Sequence, residues 1–289
     1  MKRYLLLVFF VVFKIFGENT FEFYHDNDLF ITDEDYTSGV EFKYRQELND
    51  GGNYNGFSFG QKFYTPSNIT ESEAKDYDRP YAAWLYLGIE KEKNEQSKKV
   101  IKGIQLGLMG PKALGEFVQK GVHRAIGEED PSGWKEQVEE MVGVQYYISE
   151  YKEKGKNSNL DGYSSWSVHK EIEVGNIFSN VKYGILTQMG NKSIYNDKKG
   201  DWKYYVYYEP QLCMVLYDAT IQGKIFSDDQ DGIVKDSNLF VIKNTLGASL
   251  NYKDIVLEYS LNLNSTTVKD LPWKPVDHIY NKFYIKMRL

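Results

Sequence analysis

Short runs of alternating polar and apolar residues recur along most of this chain and continue to its last residues. A period of two puts successive side chains on opposite faces of a β-strand. Beyond the first residues, no apolar run is long enough to span a bilayer as a helix. The runs that we predict to be strands are Thr20–Asn27, Tyr36–Gln46, Gly56–Phe63, Ala82–Lys91, Lys98–Met109, Glu140–Glu150, Tyr163–Val174, Asn180–Met189, Trp202–Leu216, Leu239–Tyr252, Ile255–Asn264 and Ile279–Leu289. The chain is therefore restricted to all-β architectures, either a membrane barrel or a soluble sandwich.

Composition and loop lengths favour the membrane barrel. Aromatic residues make up 16% of the chain, including 24 tyrosines, although the mean hydropathy is only −0.53. Outer-membrane barrels combine a polar lumen with aromatic girdles, an even strand number, and short turns on one side with long loops on the other. Here the short connections Glu47–Asn55 and Lys93–Lys98 alternate with the long ones Tyr64–Tyr81 and Gly110–Glu139. We predict a 12-stranded antiparallel transmembrane β-barrel over residues 19–289, in the bacterial outer membrane. A soluble secreted β-sandwich is the less favoured alternative.

The two chain ends carry signals that fit export and membrane assembly. Residues 1–18 contain a basic start, an apolar run from Tyr4 to Phe13 and a small residue at Gly17, which is the pattern of a signal peptide; an uncleaved anchor is the alternative. The alternating last run ends at Leu289 and fits the signal that the outer-membrane assembly machinery recognises, with an ordinary edge strand as the alternative. The single cysteine, Cys213, excludes an intramolecular disulfide, and the net charge of −6 argues against a nucleic-acid partner.

One segment departs from the strand pattern and indicates a short helix on the extracellular side. It runs from Gly110 to Gly127 and begins with Gly-Pro, which suits a helix start because proline lacks the N–H that is unpaired there. Apolar residues recur in it at three- and four-residue steps and form one stripe: Leu114, Val118, Val122, Ala125 and Ile126. Gln119 and His123 are four residues apart, so they share the neighbouring face.

Four polar clusters are expected to lie on the same rim of such a barrel. They are His25–Asp28 at the end of the first strand, Asp35–Gly39 at the start of the second, Asp78–Tyr86 at the start of the fourth, and the helix after the fifth. The ends of odd strands and the starts of even strands meet at one edge of an up-and-down barrel. Each cluster has a plainer explanation, such as a solvated turn or an aromatic anchor. Their convergence beside an unexplained helix favours a functional site.

At these residues the chain resembles the outer-membrane lipid A 3-O-deacylase (LpxR) family. The matching blocks are NDLF (Asn27–Phe30), DYTSG (Asp35–Gly39), GQKFYTPS (Gly60–Ser67), DRPYAAWLYLG (Asp78–Gly88), GPKALGEFVQKGVHRAIG (Gly110–Gly127) and GWKEQVEEMVG (Gly133–Gly143). The resemblance implies a twelve-stranded barrel that hydrolyses the ester of the 3-linked acyloxyacyl chain of lipid A in a calcium-dependent reaction. Its substrate partner would be lipid A or lipopolysaccharide within the outer membrane.

The resemblance also implies roles for individual residues. His123 would be the general base that activates a water molecule. Asn27 and Asp28 match the family's Asn-Asp pair, with Asp28 as a calcium ligand, and Thr37 matches an essential threonine. Gln119, together with Glu129 or Glu128, would support the site. Asp26 is a further candidate ligand for Ca²⁺.

The chain departs from the family pattern at one position. In the family enzyme that compares best, a catalytic lysine follows shortly after the Tyr-Ser/Thr-Pro block, and the ungapped match places Glu71 there. Lys75 or Arg79 would then be the cationic substrate contact. The leading hypothesis is a lipid A deacylase, and the alternative is a non-enzymatic barrel that acts as a small pore or an adhesin.

Overall fold

The protein forms one closed barrel of twelve antiparallel strands. A computed structural model describes residues 19–27, 35–48, 52–70, 73, 77–159, 162–191, 202–225 and 233–289, so the predicted signal peptide lies outside the described residues. The strands are β1 (Thr20–Asn27), β2 (Asp35–Leu48), β3 (Asn53–Thr65), β4 (Ala82–Glu95), β5 (Lys98–Met109), β6 (Met141–Asn159), β7 (Gly162–Gly175), β8 (Phe178–Gly190), β9 (Lys203–Asp218), β10 (Phe240–Tyr252), β11 (Ile255–Asn264) and β12 (His278–Arg288). The all-β, twelve-stranded prediction is confirmed.

Each strand pairs with its neighbours in sequence, and β1 closes the barrel by pairing with both β2 and β12. The closing register runs from Thr20 opposite Arg288 to Asn27 opposite Asn281. All twelve predicted runs correspond to strands, although β6 continues to Asn159 where the sequence pattern predicted an end at Glu150. In the part of the chain that the structure describes, no helix is long and apolar enough to cross a membrane.

The period of two separates an apolar outer wall from a polar lumen. In β4, Leu87 and Ile89 are exposed on the outer wall, whereas Tyr86, Glu90 and Glu92 are buried inside. Exposed apolar residues continue this outer belt across the neighbouring strands: Phe57, Phe59, Ile104, Leu106, Val142 and Val144. An apolar band facing lipid and a polar interior are the expected arrangement for a barrel in a membrane.

Ion pairs fill part of the lumen. Arg45 lies 3.1 Å from Glu90, 2.5 Å from Glu92 and 3.5 Å from Glu22, and all four side chains are buried. Lys43 forms a second pair with Glu90 at 3.0 Å. Buried charges are tolerated when they are paired and hydrogen-bonded in this way. The network therefore joins β1, β2 and β4 from the inside.

The helical segment lies at one end of the barrel, which we call the helix rim. A 3₁₀ turn covers Pro111–Ala113, and helix α1 covers Gly115–Ile126. Leu114 separates them in the left-handed conformation with φ of 61°, so the single helix predicted over Gly110–Gly127 is two pieces. The helix ends at the glycine where the sequence predicted its end: Gly127 adopts φ of 83° and donates its N–H to the His123 carbonyl.

Helix α1 packs against the outside of the barrel wall. An outer-wall cluster forms there from Phe63, Tyr77, Tyr81, Ala83, Ala113 and Trp134. Only Val118 of the predicted apolar stripe packs against this cluster. The buried face of α1 is instead the neighbouring one, with Gly115, Gln119 and His123.

Gly115 allows the helix to approach the wall. A Cβ atom at this position would lie 2.6 Å from the Cβ of Ala83 and would also overlap the ring of Trp134. A Cβ atom at Gly121, on the same helix, would meet nothing within 4 Å. The contact between α1 and β4 therefore requires glycine at position 115 but not at position 121.

The two glycines predict opposite effects of the same substitution. Gly115→Ala should destabilise the docked helix by about 1–3 kcal/mol through overpacking. Gly121→Ala should stabilise the helix by about 0.5–1 kcal/mol, because alanine has the better helix propensity. Amide hydrogen exchange over residues 115–126 measures both, and equal protection in the two variants would contradict this account of the contact.

The luminal network predicts a large effect at Arg45. Arg45→Ala leaves three buried carboxylates without their shared cation and should cost about 3–5 kcal/mol of unfolding free energy. Guanidinium unfolding of the barrel in detergent measures the loss. Lys93→Ala is the matched control: its pair with Glu95 is 3.0 Å long but exposed, so the change should stay within about 0.5 kcal/mol.

Candidate functional site

Four neighbouring strands bring a row of residues together at the helix rim. Asn27 of β1 pairs with Ser38 of β2, Ser38 pairs with Phe63 of β3, and Phe63 pairs with Ala83 of β4. Neighbouring strands are about 4.8 Å apart. The rim that the sequence predicted as a meeting point of distant clusters is therefore confirmed for the backbone of these strands.

The row lies on the outer face of the wall. Phe63 and Ala83 belong to the outer-wall cluster. Asp26, the residue before Asn27, is buried and lies 3.7 Å from Lys282. Because side chains alternate along a strand, Asn27 occupies the opposite face from Asp26. The structure thus separates Asp26, the further candidate calcium ligand, from the row that contains Asn27.

The helical segment is fixed to the same face by hydrogen bonds. Gly110 donates its N–H to the carbonyl of Ala83 at 3.1 Å. The side chain of Gln61 donates to the carbonyl of Ala113 at 2.5 Å. These bonds hold the start of the segment beside the end of the row, and Gly115 completes the contact.

His123 is buried on the inner face of α1, with 6% of its surface exposed. Its Nδ1 lies 2.6 Å from the backbone carbonyl oxygen of Glu129. A carbonyl oxygen only accepts hydrogen bonds, so this contact favours the tautomer with the proton on Nδ1. The lone pair is then on Nε2, which is the form that a general base needs.

Glu129 supports His123 through its backbone, because its side chain is exposed. The loop that presents its carbonyl is fastened to the helix at the next residue, where Arg124 Nε lies 3.0 Å from a carboxylate oxygen of Asp130. The hydrogen bond from Arg124 lowers the pKa of Asp130 below its usual value. The loop contact is therefore present at neutral pH and is lost only when strong acid protonates Asp130.

Gln119 lies one turn before His123 on the same buried face. Its Oε1 accepts a hydrogen bond from Nε1 of the buried Trp134 at 2.7 Å. Its Nε2 is buried and has no hydrogen-bond partner among the residues that the structure describes. A buried donor without a partner is costly, so Gln119 has an N–H available for a bound group near His123. Trp134 itself was missed by the sequence reasoning, although it lies in a block that resembles the family.

Arg79 makes contacts on the luminal side of the wall. Its Nη2 donates to the hydroxyl of Thr220 at 3.0 Å, and its guanidinium lies 4.9 Å from the ring centre of Tyr64. Tyr64 packs against a luminal cluster that includes Trp84 and Tyr86. Ala219, the residue before Thr220, belongs to the same cluster. Arg79 therefore belongs to the packing that covers the lumen, not to the outer-wall row.

Three other predicted positions have limited structural description. Asp28 and Lys75 lie outside the described residues. Thr37 lies in β2, at a shift in register between Asp35 and Ser38 opposite β3, and only its backbone is described. Among the described residues, no group of three or more His, Cys, Asp and Glu side chains is arranged to hold a metal ion.

A second histidine cluster lies inside the barrel and was not predicted. His169 Nε2 lies 2.9 Å from the hydroxyl of Ser149, and its Nδ1 lies 2.6 Å from a carboxylate oxygen of Glu209. The ring of Tyr151 stacks on His169 at 3.9 Å. The three polar residues are all buried, on three different strands. No sequence spacing links them, so only the order of the paired strands from β6 to β9 reveals the cluster.

Comparisons with known proteins agree with this architecture. A family model described as outer membrane protein LpxR matches residues 5–275. The structure is similar to that of LpxR from Salmonella typhimurium, with a TM-score of 0.79, 22% sequence identity, and coverage of 93% of this chain and 99% of that chain. The β domain of the Bordetella autotransporter BrkA is more distant, with a TM-score of 0.49, 10% identity, and coverage of 94% of this chain and 98% of that chain. No curated protein sequence matches the chain.

The family match covers nearly the whole chain, and the closed twelve-stranded barrel agrees with a location in the bacterial outer membrane. The chain belongs to the LpxR family of outer membrane proteins.

Proposed function

We propose that this protein is a lipid A deacylase that hydrolyses the ester of the 3-linked acyloxyacyl chain. The observation that carries the proposal is the buried His123, oriented by the Glu129 carbonyl at 2.6 Å, on a helix docked to the outside of a membrane barrel. An outer-wall site faces the layer in which lipid A resides. Family membership supports the same activity.

The chemistry assigned to His123 is general base catalysis. Nε2 takes a proton from a water molecule while the water oxygen attacks the ester carbonyl carbon. The resulting tetrahedral intermediate collapses, and the bond between the carbonyl carbon and the sugar 3-oxygen breaks. The imidazolium then returns its proton to the leaving alkoxide. The products are a free acyloxyacyl acid and a lipid A with a free 3-hydroxyl group.

Helix length and strand spacing support a role for Asn27 in the same reaction. His123 is eight residues beyond Gly115, which corresponds to about 12 Å along an α-helix. Asn27 is three strand spacings from Ala83, which corresponds to about 14 Å. A helix that runs back across β3 and β2 would therefore bring His123 close to the end of β1, where Asn27 and Asp28 follow each other.

Calcium is part of the proposal, with Asn27 and Asp28 as the residues that would hold it. Amide and carboxylate oxygens are the ligand types that this cation prefers. Bound there, the ion would stabilise the negative charge that develops on the carbonyl oxygen. Thr37, at the register shift in β2, would position the water or a ligand.

The substrate contact that the family assigns to a lysine is a point of difference. Glu71 stands at the matched position in this chain, and Arg79 is engaged with Thr220. We propose that Lys75 supplies the positive charge and that the buried N–H of Gln119 contacts the substrate near His123. For the last strand, we propose that the segment ending at Leu289 engages the outer-membrane assembly machinery.

A small pore is the less favoured function. Its lumen would have to conduct, whereas here Arg45, Lys43 and their carboxylate partners pair with one another inside the barrel. A conductance through the unsubstituted barrel, with lipid A left intact in the presence of calcium, would favour the pore.

His123 provides the central test. His123→Ala should reduce deacylation by about 10²–10⁴-fold, because the water loses its base. Mass spectrometry of lipid A incubated with the purified barrel measures the loss of the acyloxyacyl chain. Ser149→Ala is the control at the luminal histidine cluster and should leave the rate unchanged. Full activity in His123→Ala, or loss in Ser149→Ala alone, would overturn the assignment.

Calcium dependence provides a separate prediction. Chelation should abolish deacylation, and Asn27→Ala should raise the calcium concentration for half-maximal activity by about tenfold or more. Calcium should also raise the unfolding temperature of the unsubstituted barrel, since a ligand that binds only the folded state stabilises it. Ser38→Ala, at the neighbouring position in the row, should leave both calcium effects unchanged. Unaltered activity in chelator would remove calcium from the mechanism.

A further inference from the structure

Helix α1 exposes the residues that a water-soluble helix would bury. Phe117 is 77% exposed, Leu114 is 53% exposed and Val122 is 51% exposed. The polar residues Gln119 and His123 occupy the buried face instead. Large apolar side chains grouped on one helix face indicate an interaction surface.

The exposed apolar face is flanked by a polar one. Glu116, Lys120 and Arg124 are spaced four residues apart and therefore share a face. Lys120 and Glu116 form an ion pair at 2.7 Å. The helix thus has three faces, of which one contacts the wall, one is charged and one is apolar.

The conformation of Leu114 adds a second observation. This residue has a backbone φ of 61°, which residues other than glycine rarely adopt. It is nevertheless a leucine, and it is exposed. Glycine would adopt this conformation with less strain, so the chain keeps an exposed large apolar side chain here at a cost to the backbone.

The apolar face is continuous with the membrane belt of the barrel. Val118 and Leu85 both pack against the outer-wall cluster. Leu87 follows Leu85 on the same face of β4 and is exposed in the outer belt. The apolar belt therefore adjoins the outer-wall cluster at Leu85, and the cluster in turn contacts the helix at Val118.

We propose that the apolar face of α1, formed by Leu114, Phe117 and Val122, is seated in the acyl chains of the outer leaflet. The charged face would then lie at the level of the lipid head groups, which is the usual arrangement of an interfacial amphipathic helix. The occupant is lipid because the belt beside it faces lipid. The proposal concerns where the helix sits and does not depend on the deacylation reaction.

Site-directed spin labelling in bilayers tests this position. Cys213 is the single cysteine of the chain and is buried. We therefore expect the spin label to react with an introduced cysteine and not with Cys213. Phe117→Cys is the test site, Lys120→Cys is the matched control on the charged face, and Leu87→Cys is the reference in the membrane belt. The unsubstituted chain, treated with the same reagent, checks that Cys213 stays unlabelled.

The accessibilities to oxygen and to a water-soluble nickel chelate decide the outcome. The ratio of oxygen to nickel accessibility at position 117 should match that at position 87 and exceed that at position 120 several-fold. Equal ratios at positions 117 and 120 would place the helix in water and overturn the proposal. Exclusion of both reagents at position 117 would show that protein, such as a second copy, covers the face, and would also overturn it.

A polar substitution gives an independent measurement. Phe117→Ser should slow deacylation of lipid A several-fold in bilayers but leave it unchanged in mixed micelles, where the substrate is dispersed. Equal rates in bilayers for Phe117→Ser and the unsubstituted chain would contradict the proposal. If the unsubstituted chain deacylates nothing, the proposed function fails, while the spin-label ratios still report on the helix.

Discussion

Backbone hydrogen bonding around the closed barrel is the constraint on which the other features depend. Hydrocarbon offers no partner for an N–H or C=O group, so the strands must pair with one another all the way round. Closure of β1 on β12 satisfies that requirement. It also fixes the alternation of each strand, since one face must meet lipid and the other the lumen. The opposite positions of Asp26 and Asn27 follow directly, although the two residues are adjacent in sequence.

The site is built on the outside of this wall by one close contact. Gly115 lacks the side chain that would collide with Ala83 and Trp134, so the first turn of the helix can approach β4 closely. The same approach buries Gln119 and His123, which are one and two turns further along the helix. Removing polar groups from water is unfavourable unless they find partners. Trp134 and the Glu129 carbonyl supply those partners, and in doing so they fix the orientation of both side chains.

Strand positions and the rim were predictable from sequence because a period of two is a local signal that repeats in every strand. The helix was also recognisable, but its burial was not. A helical stripe such as Leu114, Val122 and Ile126 is normally the packed face, and here these side chains are exposed. We propose that these side chains contact lipid. An apolar stripe in the sequence does not distinguish a face that contacts lipid from one that packs against protein. Trp134 and the luminal cluster of Ser149, His169 and Glu209 depend on contacts between distant segments, which no spacing in the sequence reports.

The two buried histidines differ in what holds them, and the difference bears on chemistry. His169 lies against the carboxylate of Glu209, between strands and beneath the ring of Tyr151. His123 is held by a neutral carbonyl on a loop that Arg124 and Asp130 fasten to the helix. A serine, a histidine and a carboxylate at hydrogen-bonding distances resemble a hydrolytic triad, but the barrel wall separates this one from lipid. Under the proposed function the substrate is a lipid ester of the outer leaflet, and the outer-wall site is the one that such a substrate would meet first. Position relative to the membrane therefore decides between the two histidines more strongly than the geometry of either one.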